Sequence, residues 1–170
     1  KRQPYDAWRN SAIAKVNAGP VRADLFWLRS DVDFGDSRII GVNVETNTHL
    51  DRGKLGAMYM EVLQADARGF GLGYDGVAVW DVRASNVKVP GVPNLEFFGE
   101  LVRQGGRDQD RRQANDAWGG YVEAQYHFQV FLTPTLSYRY SRFSGDKLGT
   151  PRVNEGYRSL YYGFYTREWD

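Results

Sequence analysis

The stretch AWGGYVEAQYHFQVFLTPTLSYRYSRFSGD, residues 117–146, decides how this chain is read. With a period of two it gives two strands joined by a short turn, each with one oily and one polar face. In the first strand Trp118, Val122, Ala124, Tyr126 and Phe128 share a face, and Gly119, Tyr121, Glu123, Gln125 and His127 share the other. In the second, Leu136, Tyr138 and Tyr140 oppose Ser137, Arg139 and Ser141. The polar face carries charge, which the inner face of a soluble sandwich rarely does. A lipid-facing barrel strand has this pattern by necessity, with an apolar exterior and a wet lumen. The expectation is an all-β chain, an antiparallel transmembrane β-barrel.

Composition is compatible with that expectation and removes several others. The 170 residues are read as a single domain, 1–170. Hydrophobic residues make up 42%, and the longest apolar runs are only a few residues. A spanning helix needs ~20, whereas a barrel strand needs only ~9–11 residues of alternating polarity. A mean hydropathy of -0.57 therefore does not separate a barrel from a soluble protein. The 11 tyrosines, 9 phenylalanines and 5 tryptophans would suit interfacial girdles or an ordinary β core. The absence of Cys removes disulfides, thiolate metal sites and a cysteine nucleophile together. A net charge of +1 implies no nucleic-acid partner. No signal peptide is visible at Lys1, so the chain reads as a mature protein or a fragment.

Taken in order, the first strand is expected over Trp8–Ala18, ending at the Gly19-Pro20 turn, and the second over 21–29. Phe26 and Leu28 break the alternation of the second strand. After a polar loop at 30–37, Arg38–Thr46 sets Ile40, Val42 and Val44 against Gly41, Asn43 and Glu45. Lys54–Gln64 sets Met58, Met60 and Val62 against Tyr59 and Glu61; a helical period competes there, and strand is preferred. Gly-rich 65–74 reads as a loop, 75–84 as a strand, 85–93 as a Pro-containing connection and 94–104 as a strand. The polar segment 105–116 and the later 144–156 read as long loops, and 157–169 as a final aromatic strand. Short turns and long loops thus alternate, which gives an orientation. Segments 105–116 and 144–156 face outward, while Gly19-Pro20 and 129–134 face the periplasm. About 8–9 strands result, an odd count being at variance with a complete bacterial barrel, so part of a larger barrel is favoured.

The pieces NLEFFGELVRQGG (94–106), WGGYVEAQYHF (118–128), PTLSYRYSRFSGD (134–146) and YRSLYYGFYTREW (157–169) resemble the alginate-export family of outer-membrane porins. The resemblance implies a barrel of about eighteen strands in the bacterial outer membrane. It further implies passive passage of anionic polysaccharide or small solutes, with no enzymatic step. Outer-membrane lipid and lipopolysaccharide, together with periplasmic secretion partners, are the surroundings it suggests. An alginate-type selectivity site would need an arginine-rich constriction, and the strands carrying Arg139 and carrying Glu100 and Gln104 are the ones that match.

On the residues themselves, the lumen face is expected to carry Arg9, Lys15, Arg22, Asp24, Glu45, Glu61, Asp81, Arg83, Glu96, Glu100, Glu123 and Arg139. The selectivity candidates are Lys15, Arg22, Arg83, Arg139, Glu100, Gln104 and Glu123. Read functionally, Lys15, Arg22, Arg83 and Arg139 are a cationic ladder that lowers the cost of dehydrating passing carboxylates. Read structurally, charges of both signs this close together are cross-strand ion pairs that stiffen a wall. No catalytic residue, cofactor or metal is expected. His49 and His127 have no ligand spacing, and Glu96 and Glu100 lie ~13 Å apart on a strand, beyond glycosidase reach. The segment GFGLG (69–73) lacks the lysine of a phosphate loop. The cluster DQDRR (108–112) reads as a solvated loop, with calcium or lipopolysaccharide phosphate as its functional alternative. Two rival classes stand beside the porin reading. One is a soluble periplasmic barrel or sandwich that binds carbohydrate; the other is a structural barrel segment completed by other chains.

Overall fold

Alternating β-branched and aromatic residues against small and charged ones favour extended backbone, and each alternation expected between residues 8 and 143 forms a strand. The computed structural model describes residues 8–30, 36–46, 53–65, 74–108 and 112–158. Its strands are β1 (Trp8–Ala18), β2 (Val21–Ser30), β3 (Arg38–Thr46), β4 (Lys54–Gln64) and β5 (Val77–Val89). They continue as β6 (Val92–Asp108), β7 (Gln113–Asn115), β8 (Ala117–His127), β9 (Thr135–Phe143) and β10 (Val153–Asn154). The all-β expectation is met, the described residues containing no helix.

One sheet holds every strand. β1 to β6 pair antiparallel in chain order, β8 pairs with β6, and β9 pairs with β8. β7 folds back on the end of β6, and the short β10 lies parallel to β7. Among the described residues β1 and β9 each have one neighbour, so the sheet is open at both edges.

Register fixes two faces, because residues paired across a ladder share a side. One row runs Arg22, Glu45, Gly56, Arg83, Glu100, Tyr121 and Ser141; the row behind it on the other face runs Ala23, Val44, Ala57, Val82, Leu101, Gly120 and Arg142. The first is the inner face, where Asp81 and Glu123 are each 4% exposed. The second is the outer face, where Val82 is 52%, Leu101 53%, Leu136 62% and Tyr138 71% exposed. Charge is covered and hydrocarbon is not. That inverts the ordinary soluble arrangement.

Four expectations are corrected. Lys54–Gln64 is a strand, but its Met58, Met60 and Val62 face inward, which puts Glu61 on the outer face with Tyr59 and not in the lumen. Phe26 and Leu28 break the alternation because the inner face turns apolar near the long loops. There Ile39, Met60, Val62, Tyr74, Val77, Val79 and Val102 form a buried cluster with Phe26 packed on it. The expected connection 85–93 is mostly strand. A bulge at Ser85-Asn86, with Asn86 at φ 55, lets β5 run on to Val89. Pro90 and Gly91 (φ 82) then make a two-residue turn. The expected loop 105–116 contains the end of β6 and all of β7. Finally, Tyr157 and Arg158 are not in a strand but lie on the inner face, while 159–170 of the expected aromatic strand lie outside the described residues.

Candidate functional site

The inner face carries a band of charge running across the strands from β2 to β9. Arg22 meets Asp24 at 2.9 Å and Glu45 at 3.3 Å. Arg83 meets the same Glu45 at 2.6 Å and Asp81 at 2.7 Å, and it also donates to the Asn43 side-chain carbonyl. Arg83 is on β5 and Glu45 on β3, so the guanidinium has to cross β4. Gly56 makes that possible, since a Cβ there would lie 3.0 Å from the Arg83 Nε. The carboxyl of Glu100 meets that of Asp81 beside this group.

A second group lies on β8 and β9. The Arg139 Nε donates to Glu123 at 2.7 Å, and the Ser137 hydroxyl donates to the same carboxylate at 2.8 Å. Gln125 donates to it as well. The Arg139 guanidinium also rests over the Tyr121 ring, 4.5 Å from its centroid. Glu123 is thus surrounded by donors, as a buried carboxylate must be. Farther towards the short turns, His127 Nε2 stands 3.7 Å from Glu96.

The structure places the expected residues as follows. Arg22, Asp24, Glu45, Asp81, Arg83 and Glu100 come together, as do Glu123 and Arg139, and Glu96 joins the same face. Lys15 pairs across the ladder with Asp24 in register, yet it has no ion-pair partner among the described residues and its side is exposed. Arg9 has no described side chain. Gln104 stands apart from the charged band and is 4% exposed. Its Nε2 donates to the Arg158 carbonyl at 2.6 Å, and its Oε1 accepts from the Arg158 N–H at 3.2 Å. Its amide acts as a fastener for the chain beyond β9.

That chain is the feature sequence reasoning missed. Segment 144–158 folds back along β7 and over the inner face. The Ser144 N–H donates to the Trp118 carbonyl at 2.8 Å, and the Ser144 hydroxyl to the Glu155 carbonyl at 2.6 Å. The Ala114 N–H donates to Arg152 and the Asp116 N–H to Asn154, at 2.9 and 3.0 Å. Tyr157 stacks on Phe143 at 5.3 Å and packs against the apolar cluster. Both rings lie over Gly119, where a Cβ would come within 2.6 Å of Phe143 and 3.1 Å of Tyr157. Ser144, the polar end of an otherwise alternating strand, was the only hint in the sequence. Outside the sheet, Glu155 is held below the usual carboxylate range by hydrogen bonds from Lys147 and Thr150, and Lys147 is raised in return.

The inner face therefore has two zones: an apolar patch under a strap near the long loops, and a band of compensated charge from mid-strand to the short turns. Among the described residues no group of His, Asp and Glu is placed to hold a metal. Fixed guanidinium–carboxylate pairs do no covalent chemistry by themselves; they offer charged hydrogen-bonding groups at the inner face. In comparison with known proteins, the family model described as alginate export matches residues 1–169. Neither a curated protein nor a solved structure matches the chain.

Proposed function

This chain belongs to the alginate export family, and from that premise we propose that it forms wall strands of a bacterial outer-membrane channel passing anionic polysaccharide or small solutes by passive diffusion. The observation that supports this reading best is the inverted polarity. Leu101 and Val82 are half exposed while Asp81 on the neighbouring row is 4% exposed. Lipid satisfies such an outer face, and a water-filled lumen satisfies the inner one. Among the described residues the edges of β1 and β9 are unpaired, which suits a segment that pairs with further strands of a larger barrel. The longest connections, after β4 and β9, lie at one end of the strands and the two-residue turns at 19–20 and 90–91 at the other, so the first end faces outward. No bond-making chemistry is part of the proposal.

The test is extraction followed by conductance. The protein should leave membranes only with detergent and should conduct in a planar bilayer when supplied as its natural full-length chain. Release into buffer without detergent would overturn the membrane reading and restore the soluble carbohydrate-binding one. Selectivity is read from Arg139→Glu, which sets two carboxylates beside each other and should shift the reversal potential towards cations. An unchanged potential would place Arg139 away from the route of passage.

A further inference from the structure

The outer face is apolar except at one end. Along the ladders from β1 to β6 and on to β8 and β9 it carries four cations, Arg29, Arg38, Arg103 and Arg142, and one anion, Glu61. All four sit at the long-loop ends of their strands, and the same face has no charge towards the short turns. Arg29 and Arg38 pair across β2 and β3 and share one carboxylate, Asp36, at 2.6 and 2.8 Å, so these three side chains together are net positive. Arg103 lies in the ladder row between Trp80 and Trp118, and the Arg142 guanidinium rests over Trp118 at 5.6 Å. Arg142 has no carboxylate partner among the described residues. Among the described residues Arg103 pairs only with Asp116, at 3.0 Å, with both side chains more than half exposed.

Asn115 lines an open cleft of about 590 Å³ with Trp80, Arg103, Gly105, Gly106 and Asp116. Gly105 leaves room for the Trp80 ring, since a Cβ there would come within 2.8 Å of it. An aromatic wall beside guanidinium donors suits a sugar ring bearing a phosphate. The ring stacks on indole, and the phosphate accepts from the planar fork of an arginine.

We propose that this arginine–tryptophan rim binds the phosphorylated sugar headgroup of a glycolipid in the surrounding leaflet. The inference rests on the membrane reading, since it places the cleft at the boundary between the apolar band and the loops. It concerns the outside of the wall and not the route of passage. Free phosphate or a passing polysaccharide would meet the inner face first, whereas a lipid headgroup meets this one.

The experiment uses the detergent-solubilised protein, titrated with diphosphoryl lipid A in mixed micelles and followed by tryptophan emission and by native mass spectrometry. A zwitterionic phospholipid and inorganic phosphate serve as comparison probes. Diphosphoryl lipid A should bind in preference to the zwitterionic lipid, and inorganic phosphate should not displace it. Arg103→Gln with Arg142→Gln should weaken binding by about tenfold per arginine lost, while Lys15→Gln on the inner face should leave it unchanged. Arg29→Gln is a second variant, read in the same way should the double variant fold poorly. Equal binding of both lipids, displacement by inorganic phosphate, or unaltered binding by the variants would overturn the proposal. A protein that needs no detergent would instead overturn its premise.

Discussion

Arg83→Met tests the charged band at its centre. Arg83 holds Asp81 at 2.7 Å and Glu45 at 2.6 Å, and methionine keeps much of its apolar stem while removing the charge. Breaking a fully buried ion pair by removing one partner costs about 3–5 kcal/mol. Asp81, with its side chain 3% exposed, meets that condition, but Arg83 at 32% does not. Glu45 also keeps Arg22 at 3.3 Å, so its share of the loss is small. A cost of about 2–3 kcal/mol follows, most of it the stranded Asp81 carboxylate. The assay is urea unfolding in detergent micelles, monitored by tryptophan emission. Asp81→Asn made in the Arg83→Met background should recover about 1–2 kcal/mol, because the carboxylate left without its cation is then gone. A change under about 0.5 kcal/mol together with additive effects in the double variant would refute the network as a stabilising unit.

Leu101→Arg puts a charge at mid-strand on the outer face and should cost about 2–4 kcal/mol in lipid if that face meets hydrocarbon; unfolding in vesicles checks it, and near-neutral stability would count against burial in a bilayer. Gln104→Leu removes both bonds to the Arg158 backbone, and protease cleavage within 144–158 should rise severalfold while the global unfolding midpoint moves little. Glu155, whose ordinary value is 4.5, is lowered by Lys147 and Thr150. The stability it lends the strap is therefore full above pH 4.5 and is lost as pH falls through the lower folded value. Carboxyl NMR should show the depressed titration, and Lys147→Met should move it back towards 4.5.

The sheet was legible because its signal is local. Period-two alternation at 117–127 or 38–46 survives whatever surrounds it, so strand bounds and facing residues follow directly. The errors arose where the inner face stops being polar. Met58, Met60 and Val62 looked like the oily, outward side of their strand, whereas the inner face is itself apolar there, beneath Tyr157. No periodicity reports which side of a strand a covering segment will choose. The extension of β5 past Ser85 depended on Asn86 accepting a φ of 55, a tolerance that composition does not announce. The strap was hidden for a related reason: backbone bonds, which no side-chain pattern announces, help hold it to β7 and β8 beside side-chain bonds from Gln113, Ser144 and Asn154. Of the candidate site, the identities of Arg22, Arg83, Arg139 and Glu123 could be read in advance, but their partners could not. Arg83 reaches Glu45 across 38 residues of chain only because Gly56 leaves the gap between them.

Compensated arginines bear on the proposed function differently from a ladder of bare cations. A row of free guanidinium groups would attract a polyanion strongly and release it slowly, whereas conduction needs sites that are favourable to enter yet weak enough to leave. Arg22, Arg83 and Arg139 each already hold a carboxylate. A passing uronate or similar group would therefore exchange with Glu45, Asp81 or Glu123 instead of filling an empty site. Both sides of that exchange are guanidinium–carboxylate pairs, so its net free energy is small, and the dehydration of the incoming carboxylate is offset at the same step. Lys15, exposed and unpaired among the described residues, is the point where a first encounter would be purely Coulombic. On the proposed function, sign alternation along the wall would then keep passage reversible, and stiffness of the wall and transit of an anion would draw on the same pairs.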